Sequence, residues 1–176
     1  MMDRTARRPV IGVMGAGEAD RVTLGAAGRL GRLLAEAGWI VLSGGRPAGV
    51  MDAVSAGAKE VSGSLTIGIL PSGPDGPVSA HVDVAVFTDM GHGRNVINVL
   101  TSDVVVACGI GGSGTASEVA LALKAGRPTV LLAPSPEAAS FFHGLAGDGG
   151  LHEAPTPEAV VALIEHRLGI QRWALA

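Results

Sequence analysis

Short apolar runs rich in Val, Ile and Leu recur along the chain, at Val10 to Met14, Trp39 to Leu42, Leu65 to Leu70, Val82 to Phe87, Val104 to Cys108 and Thr129 to Leu132. Most lack the polar alternation of a half-exposed strand, which predicts strands buried on both faces. Helical periodicity fills many of the intervals. From Val22 to Ala37, the residues Leu24, Ala27, Leu30, Leu34 and Ala37 form one apolar stripe, Arg29, Arg32 and Glu36 keep to another face, and Gly38 stops the pattern. A second helix, over Gly49 to Ser62, sets Val50, Val54, Ala58 and Val61 against Asp52, Ser55 and Lys59. Further helices are predicted at Arg94 to Ser102, Thr115 to Ala125 and Pro157 to Leu168. The last has Thr156 as cap, Pro157 in its first turn and Gly169 just beyond. A shorter helix is expected near Glu137 to Leu145. Alternating strands and helices imply a parallel sheet with long crossovers, a doubly wound α/β architecture with helices on both faces.

Length and composition narrow this picture. With 176 residues, 47% of them hydrophobic, the chain suits one domain over residues 1–176. Met1 to Pro9 is basic, but the apolar stretch behind it ends at Gly15-Ala16-Gly17, so residues 1–8 are expected to be a loose terminus rather than a signal peptide. No run reaches the roughly 18 apolar residues of a membrane span. The net charge of -3 offers no basic stripe for nucleic acid or an anionic membrane. The lone Cys108 excludes an internal disulfide, and a cytoplasmic location is expected. The five histidines lack metal-ligand spacing, so no metal site is expected. Both lysines, Lys59 and Lys124, fall in helices, which argues against a pyridoxal-phosphate decarboxylase.

Candidate chemistry gathers after the strands, where open α/β sheets bind ligands. Three such loops are rich in glycine: Gly15-Ala16-Gly17, Ser43-Gly44-Gly45 and Gly109-Ile110-Gly111-Gly112-Ser113-Gly114-Thr115. Each glycine run either makes a tight strand-to-helix turn or brings backbone N–H groups close to an anion. The dinucleotide fingerprint is not met, because its third glycine falls at Asp20, and no Walker lysine follows any loop. Glu118 has two readings, the far end of a capping box with Thr115 or a carboxylate held at a ligand pocket. Arg94, at a helix start where its charge opposes the helix dipole, calls for an anion nearby.

Gly111-Gly112-Ser113-Gly114-Thr115-Ala116-Ser117-Glu118 resembles the Pro-Gly-Gly-x-Gly-Thr-x-x-Glu signature of the Lonely Guy (LOG) proteins. Met90-x-x-x-Arg94 is similar to their Met-x-x-Arg-Lys element, one residue looser. Gly44-Gly45, Gly49-Val50-Met51, Gly57-Ala58-Lys59, Gly63 and Thr66-Ile67-Gly68-Ile69-Leu70-Pro71 resemble the related molybdenum-cofactor carrier proteins. The likeness covers about Val10 to Leu132. It implies a Rossmann-like sheet, a homodimer, and an anion site formed by Gly44-Gly45 and Gly111 to Thr115; Gly15, Gly17, Met90, Arg94, Asn95 and Glu118 are the further candidate ligand contacts. The LOG branch implies hydrolysis of the N-glycosidic bond of a nucleoside 5'-monophosphate, with Arg94 and Glu118 catalytic. The carrier branch implies binding of molybdenum cofactor, a pterin phosphate, without converting it. Ile110 in place of the signature proline and Asn95 in place of the lysine after the arginine favour the carrier.

Overall fold

The computed structural model describes residues 7–147 and 150–175. In chain order the elements are β1 (Val10–Met14), α1 (Arg21–Glu36), β2 (Ile40–Ser43), α2 (Gly49–Lys59), β3 (Thr66–Leu70), β4 (Val84–Phe87), a 3₁₀ turn (Gly91–Arg94), α3 (Asn95–Thr101), β5 (Val104–Cys108), α4 (Ser113–Lys124), β6 (Thr129–Leu132), α5 (Pro136–Ala146), β7 (Leu151–Ala154) and α6 (Pro157–His166). All seven strands are parallel, in the order β4-β3-β2-β1-β5-β6-β7. The chain winds outward from β1 to β4, then returns to pair β5 with the other edge of β1. The strand order therefore reverses between β1 and β5, where a doubly wound sheet leaves a crevice at the carboxyl ends of its strands.

Alternate strand residues feed two cores. Ile11, Val13, Val41, Val104, Val106 and Val130 bury one face against α1, α2 and α6. On the other face, Val10, Leu42 and Val105 pack with Val99 of α3 and Ala122 of α4. Ala107 and Leu131 pack with Val119 of α4 and Phe142 of α5.

Two expectations about strands need correction. β7 is absent from the apolar pattern because Leu151-His152-Glu153-Ala154 is short and polar in its middle, as an edge strand can be. β4 is present, but Val84, Val86 and Phe87 are all exposed, since it is the opposite edge and no helix among the described residues packs closely on it. The predicted stop signals act as expected. Gly38 takes a left-handed φ of 76° after α1, and Thr156 Oγ1 caps α6 by accepting from the Ala159 N–H at 3.2 Å. Residues 1–6 of the expected loose terminus lie outside the described residues. Arg7 donates to both carboxylate oxygens of Asp103, at 2.9 and 2.6 Å, and Arg8 Nε donates to the Gly38 carbonyl. Among the described residues no helix is long and apolar enough to cross a membrane.

Helices α1 and α2 meet backbone to backbone. A Cβ on Gly31 would lie 1.9 Å from the Val54 carbonyl oxygen, and one on Gly57 would lie 1.9 Å from that of Gly28. Gly31→Val is therefore expected to destabilise the fold by about 3 kcal/mol, the upper end of ordinary overpacking costs, since the obstacle is backbone. Gly25→Ala, on an exposed stretch of the same helix with nothing within 4 Å, should instead gain up to ~1 kcal/mol. Urea midpoints of the two variants check this, and equal shifts would contradict the close crossing.

Candidate functional site

A cavity of about 250 Å³ opens beyond the carboxyl ends of β1, β2 and β5. The loop after β1 contributes Gly15, Ala16 and Gly17, and the loop after β2 contributes Arg46. The start of α4 brings Gly112, Ser113, Gly114 and Thr115, and the 3₁₀ turn and α3 bring His92, Arg94 and Asn95. Glu118 closes the floor.

Local sequence explains the α4 wall. Gly112 is the N-cap in extended conformation and offers no side chain to cap the helix. The first helical bond runs from the Ala116 N–H to the Gly112 carbonyl, so the N–H groups of Ser113, Gly114 and Thr115 have no helical partner. Helix termini of this kind attract anions. The capping-box reading of Glu118 is not realised: the helix begins two residues before Thr115, and the carboxylate turns toward α3. Glu118 Oε1 accepts from Asn98 Nδ2 at 2.7 Å and from Arg94 Nη1 at 3.2 Å.

Both members of the Arg94–Glu118 pair are buried, at 9% and 5% exposure. Burial pushes the Glu118 carboxyl above the usual carboxylate range, opposed by the Asn98 hydrogen bond and the Arg94 charge. Burial also lowers the Arg94 pKa, with Glu118 opposing and the Arg46 charge adding to the decrease. A guanidinium nevertheless keeps its proton. Arg94 alone pairs with that carboxylate, and Arg46, which also lines the cavity, has no polar partner among the described residues. The cavity carries a positive surplus that suits an oxyanion.

Gly44 fixes where Arg94 lies. A Cβ there would come within 2.7 Å of Arg94 Nη2 and 2.6 Å of Met51 Sδ. Beneath the main cavity Gly44, Met14, Met51, Arg94 and Glu118 enclose a chamber of about 20 Å³, room for one water by the usual size criterion. Arg94 Nε and Asn98 Oδ1 are buried without a protein partner. A further chain of hydrogen bonds ties α3 to the α4 loop. Asn95 Nδ2 donates to Ser117 Oγ at 2.9 Å, and Ser117 Oγ donates to the Gly114 carbonyl at 2.7 Å.

The structure thus brings together Gly15, Gly17, Arg94, Asn95, Gly112, Ser113, Gly114, Thr115 and Glu118 of the expected set. Gly44 reaches only the small chamber, and Gly111 lines a neighbouring cavity. Gly45 packs against Gly68, and Met90 is an exposed residue before the 3₁₀ turn, so neither faces the cavity. Sequence reasoning missed Arg46 and Asn98. A cation directly after Gly44-Gly45, and a polar residue one helical turn from Arg94 in an apolar helix, were the available signals. Among the described residues no cluster of three metal-ligating side chains occurs.

Fold and cavity together define a Rossmann-like α/β protein with its candidate ligand site at the strand switch point. The chain belongs to the SLOG cluster4 family, which matches residues 8–161. The molybdenum cofactor binding protein of Rippkaea orientalis superposes with a TM-score of 0.88 at 48% identity, over 92% of this chain and 98% of that one. The molybdenum cofactor carrier protein of Chlamydomonas reinhardtii superposes with a TM-score of 0.85 at 44% identity, over 93% and 99%. An uncharacterized protein of Archaeoglobus fulgidus is 47% identical over 124 residues, 70% of this chain and 80% of its own length.

Proposed function

We propose that this chain is a carrier for molybdenum cofactor, holding the cofactor's phosphate at the start of α4 between Arg46 and Arg94. The observation that carries the reading is the pairing of unpartnered α4 N–H groups with two guanidiniums in one cavity. It gains support from the 44% and 48% identity to the two molybdenum-cofactor proteins. The hydrolase reading fits the cavity less well, because Glu118 Oε1 is already engaged by Arg94 and Asn98 inside the protein. With Oε1 so occupied the carboxylate serves as the anchor of the arginine, and Oε2, which takes no hydrogen bond from a described residue, is the oxygen left to orient water. The test is retention of molybdopterin through gel filtration, read by pterin fluorescence, alongside incubation with AMP. Release of adenine, lost in Glu118→Ala, would overturn the carrier reading.

Arg46→Ala is expected to weaken inorganic phosphate binding about tenfold, the effect of one charge-assisted hydrogen bond. Calorimetric titration measures it, and an unchanged affinity would remove Arg46 from the site. We propose that two copies of the chain pair through α3, where Val96 and Leu100 are exposed. Leu100→Glu should then shift the protein to monomer in light scattering. A wild-type protein that already runs as a monomer would refute the pairing.

A further inference from the structure

A second cavity, of about 270 Å³, adjoins the first at the strand switch point. Ala16 lines both, and a Cβ on Gly111 would sit 3.4 Å from that of Ala16, so these two residues form the ridge between them. The chemistry on the two sides differs. The first cavity carries the Arg46 and Arg94 guanidiniums, whereas the described residues lining the second include no Lys or Arg. Its polar groups are the Glu18 and Asp20 carboxylates and Thr23, and its apolar walls are Ala16, Ala19 and Ile110. Asp20 is committed, since Oδ1 accepts from the Thr23 N–H at 2.7 Å as the cap of α1. Glu18 has no partner among the described residues. An exposed carboxylate with no protein donor, beside the apolar side chains of Ala16, Ala19 and Ile110, fits a ring that presents N–H groups.

We propose that the second cavity is the heterocycle subsite of the same ligand, in which the Glu18 carboxylate accepts from the ring N–H and exocyclic amine of a 2-amino-4-oxopyrimidine edge, as a pterin offers. The proposal rests on the carrier reading for its phosphate end. It accounts for two sequence features that the phosphate site leaves unused. The acid at Asp20, where a dinucleotide fold would have its third glycine, completes α1 and leaves Glu18 free. Ile110, where the LOG signature has proline, supplies a wall for the ring face. A carboxylate facing two adjacent donors makes a paired, charge-assisted contact that adenine, lacking this edge, does not reproduce.

The test titrates the full-length protein with neopterin monophosphate, neopterin, AMP and inorganic phosphate, for wild type, Glu18→Gln and Glu18→Ala. Glu18 is exposed, so both variants should fold. Wild type is expected to bind neopterin monophosphate at least about tenfold more tightly than AMP. Both variants should lose about tenfold for neopterin monophosphate and for neopterin, and keep phosphate affinity within about twofold. Unchanged pterin affinity in both variants, or AMP binding as well as neopterin monophosphate in wild type, would overturn the subsite. Loss of phosphate binding in the wild type would instead strike the carrier reading. The response of neopterin, which has no phosphate, to Glu18→Gln then decides the second cavity separately.

Discussion

Arg94→Ala is expected to lower affinity for inorganic phosphate and for phosphate-bearing pterins at least about 100-fold. The guanidinium is pinned between Glu118 and the bare backbone of Gly44, so its orientation is set before any ligand arrives. Two charge-assisted hydrogen bonds from such a group are worth about 3 kcal/mol or more, which corresponds to the stated loss. Arg94→Lys should recover only part of it, because an ammonium lacks the planar fork and leaves Glu118 with a poorer partner. Calorimetry on the three proteins decides the matter. Retained phosphate affinity in Arg94→Ala would place the anion elsewhere, with Arg94 serving only to neutralise Glu118. Gly44→Ala provides an independent check, since its methyl group would displace the guanidinium and should reproduce most of the defect without altering a charge.

The second large effect concerns stability. Glu118→Ala leaves a buried guanidinium without its carboxylate and Asn98 without its acceptor, a loss of about 3–5 kcal/mol. Glu118→Gln keeps an oxygen for both donors and should cost clearly less in urea denaturation. If the two variants were equally damaged, charge compensation alone would explain the pair and the hydrogen bonds would count for nothing. The raised carboxyl pKa also gives a sign for pH. The folded protein holds this proton more tightly than the unfolded chain, so the stabilisation is present at low pH and disappears as pH rises through the folded value. Protonation also frees Arg94 from a competing charge. Sulfate, whose own charge does not change over this range, should therefore bind more tightly as pH falls through that value. Glu118→Gln should bind sulfate severalfold more tightly than wild type at neutral pH and should lack the part of the rise that Glu118 causes. A flat wild-type profile would show that Glu118 does not titrate there.

Much of the architecture was legible because a parallel sheet buried on both faces writes itself as unbroken aliphatic runs. Val104 to Cys108 and Thr129 to Leu132 have no other reading once helices separate them. The same logic failed at the sheet's margins. β7 carries His152 and Glu153, and β4 is apolar yet uncovered, because pattern records composition and not the position of a strand in the sheet. At the site, the α4 loop was readable from its glycines, since their spacing after a strand has few uses. Glu118 was ambiguous because Thr-x-x-Glu spacing fits a cap as well as a pocket. Only the position of α3 decides the matter, and that is a relation between residues 20 positions apart. Arg46 escaped notice because a lone loop arginine carries no periodic signal.

The glycine crossing of α1 and α2 bears on how the proposed ligand would leave. The Val50 N–H donates to the Ala16 carbonyl at 3.0 Å, and a Cβ on Gly49 would strike that same oxygen. The β1 loop and the start of α2 are thus fastened at the rim of the cavity, while the helices behind them are clamped along their backbones. The wall that the β1 loop and α2 form is therefore held as one piece, facing the wall formed by the 3₁₀ turn, α3 and α4. A ligand held there as proposed would leave through the open mouth, with any receiver competing for it group by group.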